Sequence, residues 1–389
     1  MSGVDGRSLI SGRGSGRAVI DGADMIMLGS NDYLGLSTDP RVIAASRAAL
    51  DIYGTGVCLY PVFAATPLHE ELAASLATFL GTEAAMLYGS GGAANAGVLT
   101  TLVEAGDVIL SDRLNHASII DGCRLSRADV LAYGNRDVAD LAAALARAAP
   151  ARRRLIVTDG IFSMEGGAAP LPAMLDLAQA HDAMLVVDEA HASGVVGPDG
   201  RGTAPFCGIA NDAPGLILTG SLSKALGGAS GGFVAGPRHV VERLKAASRG
   251  WIFSMGMTTA NAAAARAAVD IVRLDKAPLA RLTANVATLR AALARHGLAV
   301  HPSDSAILAL AVGDEDRARG LASALRQRGV YAPAVTYPIV ARGEARLRLQ
   351  VSAAHEPADL ERAAGVLGEL LSPAQGQAPA VGNEGSSRP

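Results

Sequence analysis

Long apolar runs are missing from these 389 residues. No stretch reaches the roughly 18 consecutive apolar residues of a membrane span, so none is expected. The first residues, MSGVDGRSLISGRGSGR, carry no apolar segment of the kind a secretory signal needs. An excess of one charge is missing too. Lys and Arg number 34 against 37 Asp and Glu, a net charge of −3. That leaves no basic footprint for nucleic acid. Cysteine is scarce: Cys58, Cys123 and Cys207 are an odd, scattered set without CxxC or His/Cys ligand spacing. This argues against a disulfide framework and against a bound metal, and it fits a reduced, cytoplasmic protein with each Cys a small buried hydrophobe. Charged residues are only 18 % and hydrophobic residues 50 %, which excludes disorder of the whole chain.

At about 150 residues per domain, the length predicts two or three domains. Residues 1–20 are Gly/Ser/Arg-rich and read as a loose arm, and 373–389, PAQGQAPAVGNEGSSRP, as a disordered tail. There is no internal repeat. Short apolar runs suit buried parallel strands: AAMLY (84–88), VIL (108–110), LIVT (155–158), MLVV (184–187) and LILT (216–219). Helical patterns such as LPAMLDLAQAHD (171–182) lie between them. The alternation predicts an α/β fold with a mostly parallel central sheet. Near residue 285 the pattern changes to helix (286–296), strand (305–312), helix, strand (346–353) and helix (357–371), a smaller C-terminal α+β domain. The expected division is 1–45 as an N-terminal segment, 46–284 as the large domain, 285–372 as the small one and 373–389 as the tail.

In a parallel sheet, functional groups gather in the loops past the C-terminal strand ends. GSGGAAN (89–95) follows the first run, a Gly-rich turn that can offer backbone N–H groups to a phosphate. Asp112 and His116 follow the second, Ser163 and Glu165 the third, Asp188 and His191 the fourth, Ser221, Ser223 and Lys224 the fifth. Singly, each is ordinary: a helix cap, a satisfied His, a turn, a surface lysine. Together, an amine, a carboxylate, an imidazole and a phosphate cradle are what pyridoxal phosphate needs. Lys224 would form the Schiff base and Asp188 would pair with the pyridine nitrogen. A dinucleotide site is the competing reading. Gly89 to Ala94 fits G-x-G-x-x-A, with Asp112 at the end of the next strand. It leaves Asp188, His191 and Lys224 unexplained.

At these residues the sequence resembles the α-oxoamine synthases, fold-type I pyridoxal phosphate enzymes, and in wording the 8-amino-7-oxononanoate synthases most. The likeness runs from SNDYLGL (30–36) to ARLRLQVSAAHE (345–356). DEAHASGVVGPDGRG (188–202) and SLSKALGGASGGFVAG (221–236) are its most specific segments, joined by DRLNHASIIDG and GIFSMEGG. The resemblance implies a PLP-dependent acyltransferase. It would condense an amino acid, Ala or Gly first, with an acyl thioester of coenzyme A or acyl carrier protein. The products would be an α-amino ketone, CO2 and free thiol. It assigns Lys224 to the cofactor aldehyde and then to the substrate Cα proton. Asp188 goes to the pyridinium, His116 to the ring face, and His191 and Ser163 to its phenolic oxygen. Gly91, Gly92 and Ser221 go to the phosphate, and Asn31 and Arg348 to the amino acid carboxylate. Ser254 and Thr258 would reach the phosphate of a neighbouring subunit, which implies a homodimer with shared sites.

Some positions depart from the family pattern. GTGVCLYPVFAATPLH (54–69) replaces a loop of small and basic residues beside the substrate pocket. Gly92 replaces an aromatic, Thr258-Thr259 a Pro-Pro pair, and Ser221 a Thr. Either the acyl donor differs from the family's usual one, as in a secondary-metabolite member, or the loop has drifted with the substrates unchanged. An aminotransferase on the same fold would release no CO2. A non-catalytic partner subunit would lack the lysine that stands at 224.

Overall fold

The computed structural model describes residues 8–371 apart from residue 15. A seven-stranded sheet carries the large part of the chain. Its order is 84–88, 232–236, 216–221, 183–188, 154–159, 108–112, 129–133. The strand Gly232–Gly236 runs antiparallel to both neighbours, and all other pairs are parallel. All five apolar runs named above are strands here, each extended by a residue or more except the first. Alternate residues feed two cores. Leu110, Ile156, Leu185, Val187 and Leu218 pack on one face; Ile109, Leu155, Val157, Val186 and Ile217 pack on the other. A sheet covered on both faces reads as continuous apolar runs, which is why these strands are legible. The strands Asp129–Tyr133 and Gly232–Gly236 were not expected. The first is an edge strand exposed along much of its length. The second, GFVAG, is framed by glycines that read as breakers.

A smaller three-stranded antiparallel sheet follows, ordered 307–313, 345–350, 334–335, with the helices Glu315–Gln327 and Pro357–Leu371. The helix expected over 286–296 is longer, Ala277–Arg295, with Pro278 in its first turn, where a missing N–H costs nothing. The boundaries drawn at 45/46 and 284/285 fall inside the helices Pro40–Tyr53 and Ala277–Arg295.

The arm expected to be loose is largely paired. Ile10–Arg13, Arg17–Ile20 and Ala23–Met27 form antiparallel strands, and Val330–Tyr331 adds a fourth. Ala18, Ile20, Met25 and Met27 are buried together. Asp21 and Gly22 both take positive φ (49° and 84°), the Asp-Gly turn that joins tight hairpins. Residues 1–7 and the tail 373–389 lie outside the described residues. No helix among the described residues is long and apolar enough to cross a membrane, and no group of three His, Cys, Asp or Glu among them could hold a metal. Of the cysteines, Cys123 is buried and Cys207 half-buried, but Cys58 is exposed, at φ 52° in the unusual 54–66 loop. The expectation of three buried thiols fails there because that loop leaves the core.

Candidate active site

The parallel strands end at one rim, and the residues singled out above collect there. Lys224, Asp188, His116, His191, Gly91, Gly92 and Ser221 line one cavity of about 220 Å³. Lys224 comes from the turn after Leu216–Ser221, Asp188 from the end of Ala183–Asp188. Gly91 and Gly92 begin the helix Gly91–Thr101, capped by the Ser90 hydroxyl, which accepts from the Ala93 amide at 3.1 Å. A Cβ on Gly91 would stand 3.1 Å from Ser221 Cβ and 3.3 Å from the Gly220 carbonyl, so a side chain there would crowd this approach. The Ser221 and Ser223 hydroxyls share a bond of 2.7 Å.

Asp188 is held from two sides. Its Oδ1 accepts from the Ala190 amide at 2.9 Å and its Oδ2 from Asn95 Nδ2 at 2.7 Å. Asn95 also donates to Ser118 Oγ at 3.0 Å and accepts from Thr219 Oγ1 at 2.6 Å. Sequence reasoning missed this clamp; it sits one turn into a helix whose start alone drew notice. His116 caps the helix Ala117–Leu125: its Nδ1 accepts from the Ser118 amide at 3.2 Å. Asp159, paired in register with Asp188, lines the cavity too. Burial and the neighbouring Asp188 charge push its carboxyl well above the usual range, against the His116 amide that lowers it. Burial lowers the Lys224 amine below the ordinary lysine range, against the opposing pull of Asp188 and Asp159. His191 is driven well down by burial and then by Lys224, Arg348 and His116, and stays neutral.

Arg348 and Asn31 do not line this cavity. They form a second cluster beside it, built around Tyr33. Arg348 is mostly buried; its Nε donates to the Ser163 carbonyl at 2.5 Å and its Nη2 has no partner. Ser163 meets Arg348 through that carbonyl. Asn31 Oδ1 accepts from Gln350 Nε2 and lies 3.3 Å from the Tyr33 hydroxyl. Tyr33 in turn meets His191, Oη to Nδ1, at 2.8 Å. Tyr33, Gln350 and Asn95 escaped sequence reading because nothing local distinguishes a buried Tyr or amide. Ser254 and Thr258 lie apart from both clusters. Ser254 Oγ accepts from the Gly256 amide at 3.1 Å, and Thr258 caps the helix Thr259–Leu274.

These strand ends define a lysine-bearing transferase site on an aminotransferase-like sheet. The model of the aminotransferase class I and II family matches residues 23–367. A putative 8-amino-7-oxononanoate synthase of Bacillus licheniformis is 44 % identical over 333 residues, 85 % of this chain and 86 % of that one. The 2-amino-3-ketobutyrate coenzyme A ligase of Escherichia coli strain K12 is 42 % identical over 360 residues, covering 92 % and 90 %. A solved serine palmitoyltransferase with a pyridoxal phosphate internal aldimine superposes with a TM-score of 0.89 at 32 % identity, covering 94 % of this chain and 92 % of that one. The chain belongs to the aminotransferase class I and II family, within its α-oxoamine synthase branch.

The residues present fit pyridoxal phosphate. The glycine-lined helix start is a space that a Cβ would narrow, the carboxylate of Asp188 is fixed by two donors, and a buried amine stands in the same cavity.

Proposed function

We propose that this protein condenses a small amino acid, Ala or Gly, with an acyl thioester of coenzyme A or acyl carrier protein. The products are an α-amino ketone, CO2 and the free thiol. One observation carries this reading: Lys224, Asp188, His116, His191 and the Gly91–Gly92 helix start meet in one cavity, with a buried arginine that has an unpartnered nitrogen next to it. Bound pyridoxal phosphate supplies an electron sink for the pair left on the substrate Cα.

The chain's own residues do the rest. The free amides at Gly91 and Gly92, with the Ser221 hydroxyl, hold the phosphate at a helix N-terminus. Asp188, fixed by Asn95 and Ala190, keeps a proton on the pyridine nitrogen. His116 covers one ring face. Arg348 and Asn31 hold the amino acid carboxylate, with the planar guanidinium suited to a bidentate grip. Lys224 anchors the aldehyde carbon and then takes the Cα proton. Burial lowers its basicity, which enlarges the neutral fraction able to take a proton. Cα then bonds to the acyl carbonyl carbon, and the thiolate leaves with a proton. The C–CO2 bond breaks next, and Cα regains a proton.

A second copy of the chain is part of this reading. Phe63, Phe253, Met255 and Val62 are exposed around a small apolar cleft lined by Val57, Leu59, Pro61, Trp251 and Met257. Burying this patch against its equivalent gives the Ser254–Thr258 segment a partner site to serve. With its reduced cysteines, we place the enzyme in the cytoplasm. The test is direct. The protein loaded with pyridoxal phosphate should show the visible band of a lysine-bound cofactor, and Lys224→Ala should lose it. With amino acid and acyl thioester, thiol and CO2 should appear in equal amounts. Keto-acid-dependent amine transfer without CO2 would refute the condensation.

A further inference from the structure

Tyr33 is a wholly buried hydroxyl at the junction of the two clusters, and no role above uses it. Its backbone is pinned, because the Ala353 amide donates to its carbonyl at 2.7 Å. Its ring meets the His191 imidazole edge-on, centroids 6.0 Å apart at 70°. Its oxygen lies 2.8 Å from His191 Nδ1 and 3.3 Å from Asn31 Oδ1, and the charge of the buried Arg348 guanidinium acts on it.

A phenol has one proton to give. Arg348 can only donate, so it makes no claim on that proton. Of the two acceptors in reach, His191 Nδ1 at 2.8 Å is nearer than Asn31 Oδ1 at 3.3 Å. The proton therefore goes to His191 Nδ1. The imidazole is neutral in its buried, cation-lined setting, so its single proton sits on Nε2. His191 lines the cofactor cavity, and Nε2 is the ring nitrogen left to serve it. Bond direction is thus set along a chain: Tyr33 to His191, His191 Nε2–H to the cavity.

Building on the function proposed above, we propose that Tyr33 is a positioning residue that fixes His191 as the Nε2–H tautomer and links it to the anion site at Arg348. His191 is then a hydrogen-bond donor to whatever fills the cavity, not a base. A carboxylate that neutralises the Arg348 charge beside the Tyr33 oxygen changes the bond that Tyr33 gives His191.

The test uses the pyridoxal phosphate-loaded enzyme labelled with 15N at histidine, with His191→Asn to assign the signal. In the native chain the His191 shifts should be those of an Nε2–H, Nδ1-acceptor ring. Tyr33→Phe removes one oxygen and keeps the edge-on ring; it should give a mixture of tautomers. Propionate, a carboxylate without an amine, should move the His191 signals in the native enzyme. In Tyr33→Phe and in Arg348→Gln that response should be lost. An Nδ1–H ring in the native enzyme would overturn the proposal without any variant. So would a Tyr33→Phe enzyme with native tautomer and native propionate response. Absence of the lysine-bound visible band would instead strike the proposed function, since the tautomer is read on the protein itself.

Discussion

Replacing Glu189 by Gln should flatten the dependence of stability on pH. Glu189 is fully buried behind Asp188. Its Oε2 accepts from the Thr203 amide at 2.9 Å, and its Oε1 has no partner. A Cβ on Gly202 would lie 2.1 Å from Oε2 and one on Gly160 2.9 Å from Oε1, so the carboxyl is walled in by two glycines. Burial, opposed by Thr203 and aided by the Asp188 charge, pushes it from 4.5 up to about 8. The folded chain therefore holds this proton more tightly than the unfolded one. The stabilisation is full below about 4.5, declines as pH rises, and is gone above about 8. One such group changes stability by roughly 1.4 kcal/mol per pH unit, about 5 kcal/mol across the window. In Gln the amide oxygen can accept from Thr203 while the NH2 takes the place of the acid O–H. Urea unfolding of the cofactor-free protein at several pH values reads the effect. The native chain should lose stability relative to Glu189→Gln by that amount between the lower and upper pH. Parallel profiles would refute the assignment of a buried neutral acid.

Other outcomes follow from the same geometry. Asn95→Ala strips Asp188 of its side-chain donor and leaves the Thr219 hydroxyl without its acceptor. It should cost about 2–5 kcal/mol in urea unfolding and weaken cofactor retention. Arg348→Ala should raise the amino acid KM by about 30- to 100-fold, the worth of one charged pair, and Arg348→Lys should not restore it, since an ammonium lacks the fork. Phe63→Asp with Phe253→Asp, both on exposed rings, should leave the chain folded by circular dichroism and convert a dimer to monomers in sedimentation.

Much of the large domain was legible because its strands are buried on both faces and their apolar runs carry no polar alternation. The Asp-Gly turn at 21–22 was equally written in the sequence, but the surrounding Gly, Ser and Arg hid the hairpin it closes. The small edge pairs, Val330–Tyr331 and Ala334–Val335, are two residues each, too short for any periodicity to report. The Tyr33–His191 contact joins residues 158 positions apart, and Asn95 meets Asp188 across 93. No local pattern encodes such pairs.

By itself, the sequence determined the chemistry available: a lysine, a carboxylate, two imidazoles and a glycine turn, each just past an apolar strand, in an order that resembles one enzyme family. Strand ends are where a parallel sheet exposes its loops, so position along the chain already implied a shared rim. Only the tertiary structure decided what each group is. Burial, and the charges brought beside it, made Glu189 a neutral acid, kept His191 uncharged and lowered the Lys224 amine. Those are properties of a group's surroundings, and the surroundings are assembled from distant parts of the chain.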